Sequence, residues 1–355
     1  MSNGVKETFH QLVFGDSRDL SEIPPESVDL VVTSPPYPMI QMWDELFGRL
    51  NPEVAATLRG QDGSAAFELM HAELEKVWGH LWRVLKAGGW VCVNIGDATR
   101  RIGKNFQLYS NHSRITLCLL RQGFQSLPVI LWRKQTNAPT KFLGSGMLPA
   151  GAYVTLEHEY ILIFRKGEKR PFVTPPQIAN RRGSALFWEE RNAWYSDVWD
   201  FKGIRQSLGQ PVSRERSAAF PFELAYRLVN MYSVRNDRVL DPFLGTGTTM
   251  FAAMAAGRDS IGVELEPGFA EVIEGQLARL PQLANERIAE RLQGHAVFMA
   301  AYEARKGASP HRNRHYGFPV VTSQETDLIL EVLRDITRES DGRYRVSYDR
   351  LELPG

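Results

Sequence analysis

The chain has 355 residues, with 42 Lys or Arg against 41 Asp or Glu and a formal net charge of +1. At roughly 100–200 residues per domain this is one large domain or two smaller ones. With 43% hydrophobic and 23% charged residues, it can bury a core without disulfides or metals, and whole-chain disorder, collagen and coiled coil are excluded. Near-neutrality argues at first sight against wholesale nucleic-acid binding. Cys92 and Cys118 lie in apolar runs and read as buried hydrophobes. No CxxC or HExxH occurs, so no metal is expected. Met1 to His10 is polar and no uninterrupted apolar stretch approaches about 18 residues, so no membrane span is expected and the expected location is the cytoplasm.

In chain order, residues 11–14 and 28–33 read as strands, the second buried on both faces because its apolar run is continuous. Apolar residues at helical spacing run through 66–86, ended by Lys86-Ala-Gly-Gly89, and Trp90 to Ile95 starts a strand. Residues 113–122 read as helix, and Pro128–Trp132 and Tyr160–Phe164 as strands. Clean periodicity fails from about Arg165 to Arg216. It returns with a helix over Phe222–Tyr232, a strand at Arg238–Asp241, a helix over Met250–Ala256 and a strand at Ser260–Glu264. Pro267 opens a helix expected to run unbroken to Arg291 or Ala304; 307–323 reads as loop, 325–338 as helix and Tyr344–Tyr348 as a short strand. The alternation predicts an α/β domain with a largely parallel sheet.

Asp241-Pro242-Phe243-Leu244-Gly245-Thr246-Gly247-Thr248-Thr249 falls between a predicted strand and helix. The glycines permit a tight turn and close approach to a ligand. Glu264, ending the next strand, is placed to accept ribose hydroxyls. The pair reads as a nucleoside-cofactor site. The third glycine of the nicotinamide pattern and the GK[ST] of a Walker loop are absent. Asp241 fits an S-adenosylmethionine site, or simply a turn cap.

Ser34-Pro35-Pro36-Tyr37 stops the second strand. Two prolines fix φ and remove two N–H donors, leaving carbonyl acceptors at a strand's carboxyl end. With the Ser34 hydroxyl and the flat ring of Tyr37, the turn suits a planar substrate bearing an exocyclic NH₂. Acceptors that draw the amine hydrogens out of the ring plane would restore its lone pair.

Together, Thr33-Ser-Pro-Pro-Tyr37 and Asp241 to Thr249 resemble the DNA amino-methyltransferases, in the order of the circularly permuted β group. Gly15-Asp16, Arg83 to Gly89, Leu131 to Lys134, His158 to Lys166 and Phe220-Pro221-Phe-Glu-Leu224 agree with other blocks of that family. The resemblance implies a Rossmann-like S-adenosylmethionine-dependent fold, a mixed sheet with helices on both faces. It divides the chain into a catalytic part (1–164), a target-recognition insert (165–216), a cofactor part (217–295) and an unassigned extension (296–355). It implies that Asp16 and Thr33 help bind the cofactor and that Phe220-Pro221 covers its methionine end. It further implies methyl transfer from S-adenosyl-L-methionine to a base flipped out of double-stranded DNA. Ser34 favours N4 of cytosine, with N6 of adenine the alternative; C5 chemistry would need a Cys after Pro, and neither cysteine follows one. A restriction endonuclease acting on the same site is the implied partner, and the chain is expected as a monomer or homodimer. A non-catalytic DNA-binding relative and an RNA or protein methyltransferase are the rival classes.

The segment 165–216 carries eleven Lys or Arg against six Asp or Glu, a net +5 within an otherwise mildly acidic chain. Arg165, Arg181, Arg182 and Arg205 within it, and Lys134 before it, are the DNA-contact candidates, with the segment's aromatics read as a small core or as base contacts. The loops at 99–114 and 135–153 are further candidates to close over DNA. His112 and His158 read as structural.

Overall fold

The computed structural model describes residues 6–134, 143–201, 220–340 and 342–352. Among the described residues ten strands build the main sheet: β1 (Glu7–Phe14), β2 (Val28–Thr33), β3 (Leu85–Ile95), β4 (Gln125–Arg133), β5 (His158–Arg165), β6 (Val198–Asp200), β7 (Arg238–Asp241), β8 (Asp259–Glu264), β9 (Glu331–Ser340) and β10 (Arg343–Arg350). Their order is β6-β4-β5-β3-β2-β7-β8-β1-β10-β9. The central run β3-β2-β7-β8-β1 is parallel, so five carboxyl ends share one edge. β2 continues toward β3 on one side and β7 toward β8 on the other. The crevice between the loops after β2 and β7 is therefore the topological switch point, where open α/β sheets bind ligands.

The helices are α1 (Asp44–Leu50), α2 (Pro52–Arg59), α3 (Gly63–Val84), α4 (Asn111–Arg121), α5 (Pro175–Gly183), α6 (Trp188–Trp194), α7 (Phe222–Tyr232), α8 (Thr248–Ala255), α9 (Phe269–Leu277) and α10 (Leu280–Lys306). Successive β2 residues serve opposite cores. Leu30 and Val32 join the core containing α7 and α8, and Val31 joins the one containing α3. This two-sided cover is why the strand reads as an unbroken apolar run. Among the described residues no helix is long and apolar enough to cross a membrane.

Three secondary-structure expectations are corrected. Residues 331–340 form a strand, not part of a helix over 325–338. The helix expected from Pro267 to Arg291 or beyond breaks after Leu277 and restarts at Leu280, with Pro281 in the new first turn, where its missing N–H and fixed φ are tolerated. Lys86–Gly89 lies within β3 as an irregularity, with Leu85 opposite Val28 and Trp90 opposite Leu30.

Glu331–Ser340 and Arg343–Arg350 are integral to the sheet. β10 pairs antiparallel with β1, and β9 with β10. The Tyr348 hydroxyl donates to the Met254 carbonyl (2.6 Å) and lies 2.8 Å from Thr8 Oγ1, which also meets His10; the His10 ring reaches Ser260. The expected boundary at 295/296 falls inside α10, which runs through to Lys306.

Candidate active site

One cleft of about 1240 Å³, including its open mouth, occupies the switch point. Asp16, Ser34, Pro35, Pro36, Phe220, Pro242, Phe243, Gly245, Thr246, Thr248 and Glu264 all line it. Two motifs more than 200 residues apart in the chain thus face one space because β2 and β7 are neighbours.

Four other predicted site residues sit behind this wall. Asp241 is buried at the end of β7. It accepts from Thr33 Oγ1 (2.6 Å), Thr249 Oγ1 (2.7 Å) and the Phe243 amide (3.0 Å). Asp241 therefore caps the turn, and Thr33 is its partner rather than a cleft residue. Burial pushes the Asp241 carboxyl up to about 6 against the pull of these donors. Gly247 has φ +90°, and a Cβ there would lie 2.7 Å from the Phe251 ring. Glycine is required at 247 by the turn and by α8, not by close approach to the cleft. Pro221 caps α7 beside Phe220. Gly245 differs from Gly247: at φ +55°, a Cβ added to it would meet nothing within 4 Å, so it opens onto free space. Its amide donates to Glu264 Oε2 (2.7 Å), and the Glu266 amide donates to Oε1 (2.8 Å). Burial raises the Glu264 carboxyl above its ordinary value, against those two amides.

At the other wall, Asp16 is forked by Arg18, whose guanidinium also reaches Glu73 (2.7 Å). Partial burial raises the Asp16 carboxyl, but Arg18 outweighs it and the net shift is downward. Sequence reasoning missed Arg18, Glu73, Trp43, Phe47 and Phe269, which also line the cleft. It also missed an ion pair of Arg49 on α1 with Glu266 after β8 (2.6 Å) at the cleft rim. An apolar wall assembled from α1, α3 and α9 has no fixed spacing to read.

Tyr37 departs from its expected position. It is 8% exposed, packs in the α3-side core and does not line the cleft. Its hydroxyl donates to Glu159 (2.9 Å) and receives Asn94 Nδ2 (2.8 Å) and Ser34 Oγ (3.1 Å). Burial, then the neighbouring Glu159 charge, raises the phenol well above its usual range, so it stays protonated. His112 stacks on Tyr160 (3.9 Å) and is held by Asp97 (2.7 Å).

The basic candidates also move. β5 runs antiparallel to β3, with Tyr160 opposite Ile95 and Arg165 opposite Trp90. Arg165 thus lies about 17 Å along the strand from the cleft edge, bonded to Gln125 and Gly167. Arg181 and Arg182 are on α5, which meets the start of β7 through Asn180 and Arg235. Arg181 covers Phe172, and Arg182 pairs with Asp327. All three arginines are remote from the Ser34–Tyr37 turn. Lys134 is at the cleft edge but is ion-paired with Glu159 and lies over Trp132. Arg205 lies outside the described residues, as do 135–142 of the second candidate loop. Trp194 and Trp199 are buried and form the core reading of the insert, whereas Trp188 and Tyr195 are exposed.

The Rossmann-like sheet, with an acid- and glycine-lined cleft at its switch point, is that of an S-adenosylmethionine-dependent methyltransferase. A family model described as DNA methylase, of the N6/N4 type, matches residues 28–275. The type II methyltransferase M.MthZI of Methanothermobacter thermautotrophicus is 50% identical over 347 residues, covering 97% of this chain and 96% of that protein. M.MjaI of Methanocaldococcus jannaschii is 47% identical over 281 residues, 76% of this chain and 91% of its own. Among solved structures, a putative DNA modification methylase of Thermus thermophilus, complexed with S-adenosyl-L-methionine, is 33% identical with a TM-score of 0.59, covering 76% of this chain and 95% of that one. This chain belongs to the N6/N4 DNA methylase family and is a β-group DNA amino-methyltransferase of restriction–modification type. Its methyl donor is S-adenosylmethionine.

Proposed function

We propose that the chain methylates the exocyclic N4 amine of a cytosine flipped out of double-stranded DNA, as the modification enzyme of a restriction system. The observation that carries this reading is the position of Ser34-Pro35-Pro36 on the same cleft as Asp16, Gly245 and Glu264.

The cleft fits the donor. Free space beside Gly245 admits a ligand at the turn. Phe243, Leu244, Val263 and Phe269 offer apolar surface for an adenine ring, and Asp16, Glu264 and Glu266 supply acceptors and negative charge near a sulfonium. Bound S-adenosylmethionine supplies an electrophilic methyl group. Glu264 keeps acceptor capacity beyond its two amide bonds, enough for ribose hydroxyls. Phe220 covers the opening from the α7 side.

The target amine is conjugated to its ring and a poor nucleophile. Ser34 Oγ and the Pro35 carbonyl accept its two hydrogens and hold the nitrogen in a reactive geometry, so the turn acts by orientation and electrostatics without a covalent intermediate. A duplex cannot deliver this atom to a cleft floor, which makes base extrusion part of the reading. DNA approaches across the cleft edge, where the hairpin after β3 presents exposed Arg101 and Lys104 and where β4 ends at exposed Arg133.

The test is to express the chain in a host without DNA modification and sequence its DNA with modification-sensitive reads. Methylated cytosines in one recurring sequence are expected. DNA left unmodified by a chain that binds S-adenosylmethionine would overturn the reading.

A further inference from the structure

Behind Ser34 runs a buried hydrogen-bond chain that reaches a strand outside both motifs. Glu159 lies near the start of β5, 8% exposed. Its Oε2 meets Tyr37 Oη at 2.9 Å and Asn94 Nδ2 at 2.7 Å, and its Oε1 is ion-paired with Lys134. Tyr37 Oη in turn lies 3.1 Å from Ser34 Oγ, and Ser34 lines the cleft.

The direction of this chain follows from what each group can do. A carboxylate only accepts. Asn94 must present its nitrogen, since the flipped amide would set its oxygen against the Glu159 carboxylate. Tyr37 therefore gives its single proton to Glu159, and its oxygen is left to accept from Asn94 and Ser34. The Ser34 hydroxyl proton is thereby turned inward, and the lone pairs of Oγ are what remain for the cleft. Without Glu159 the order is free to reverse: Tyr37 could donate to Ser34, whose proton would then point at the substrate.

We propose that Glu159 is a positioning residue that, acting through Tyr37, fixes the Ser34 hydroxyl as a hydrogen-bond acceptor and so selects an amine over a carbonyl at the target edge of the base. This rests on the reading of Ser34 as the amine-binding residue. An acceptor-only Ser34 attracts the N–H groups of an exocyclic amine and opposes the carbonyl oxygen that a thymine or guanine would present there. It also explains why a carboxylate is held so deep, with Lys134 as its counter-charge.

The experiment compares the wild-type chain with Glu159→Gln, Tyr37→Phe and the double variant. Readouts are kcat and KM on DNA, S-adenosylmethionine affinity by calorimetry, and Tm. Glu159→Gln is expected to lower kcat on the order of a hundredfold, the cost of losing one fixed active-site dipole, with cofactor affinity and DNA KM unchanged. In the Tyr37→Phe background the same substitution is expected to add nothing, because the chain is already cut. Unchanged kcat in Glu159→Gln, or additive losses in the double variant, would overturn the proposal. So would a parallel loss of cofactor binding and Tm, which would make Glu159 a purely structural residue. A wild-type chain that binds S-adenosylmethionine but methylates no DNA would instead overturn the reading of Ser34 itself.

Discussion

Thr33 Oγ1 donates to Asp241 Oδ1 across 2.6 Å, joining the last residue of β2, just before the Ser34–Tyr37 turn, to the last residue of β7, just before the glycine-rich turn. Two motifs distant in the chain are joined by this buried contact; the Phe243 amide shares Oδ1 with Thr33, and Thr249 donates to Oδ2. The relative position of donor and acceptor groups in the cleft depends on it.

That lock is pH-sensitive in a definite direction. The Asp241 carboxyl is raised from 3.8 to about 6, chiefly by burial. Between those values the native state keeps a proton that the unfolded chain has released, so stability falls as pH rises. The loss is complete above the native value and amounts to roughly 3 kcal/mol. Asp241→Asn carries no such charge. The Tm difference, variant minus wild type, is expected to grow from about pH 4 to about pH 7 and then level off; a difference independent of pH would contradict it.

The two glycines of the cofactor turn are expected to fail differently. Gly247→Ala sets a Cβ 2.7 Å from the Phe251 ring at φ +90° and should lower stability by about 1–3 kcal/mol, taking cofactor affinity with it. Gly245→Ala meets no atom within 4 Å and carries only the strain of φ +55°, about 1 kcal/mol. Its loss should appear mainly in S-adenosylmethionine affinity, since Gly245 lines the cleft. Thermal shift and calorimetry on both variants separate the two effects.

DNA affinity should depend on the cleft edge and not on α5. Arg101→Ala with Lys104→Ala is expected to weaken binding and to flatten the salt dependence by about two units of log–log slope. Arg181→Ala with Arg182→Ala should leave both unchanged, because those side chains attend to Phe172 and Asp327 away from the catalytic turn. Filter binding across a salt series reads both pairs.

The C-terminal hairpin should matter to folding. Tyr348→Phe removes a hydroxyl that donates to Met254 and meets Thr8 in the core between β10, β1 and α8. A loss of about 1–3 kcal/mol is expected from the unsatisfied partners, read as a lower urea midpoint at unchanged slope.

How much of this was legible in the sequence varied with the range of the interactions. α7 falls on Phe222–Tyr232 and β7 on Arg238–Asp241 as read, because amphipathic spacing and a short apolar run are local signals. Residues 331–340 misled for a physical reason. A bulge between Leu333 and Asp335 breaks the two-residue alternation, so the apolar positions mimic a helical face, and only pairing with β10 decides the strand. In the site, the motif residues facing the cleft were readable because turns need particular residues. The division between those that touch the cleft and those that brace it, such as Thr33 and Asp241, was not, since both kinds sit side by side in one motif. The placement of Arg165 was also hidden, because the sequence does not say that β5 runs against its neighbours.

The proposed activity turns on Ser34 presenting its oxygen to the N4 amine of cytosine. The most direct test is nucleoside mass spectrometry of duplex DNA incubated with S-adenosylmethionine and either the wild-type chain or Ser34→Ala. 4-Methylcytosine is expected with the wild-type chain, and nearly all of it should be lost with the variant. 6-Methyladenine as the product, or full 4-methylcytosine formation by Ser34→Ala, would contradict it.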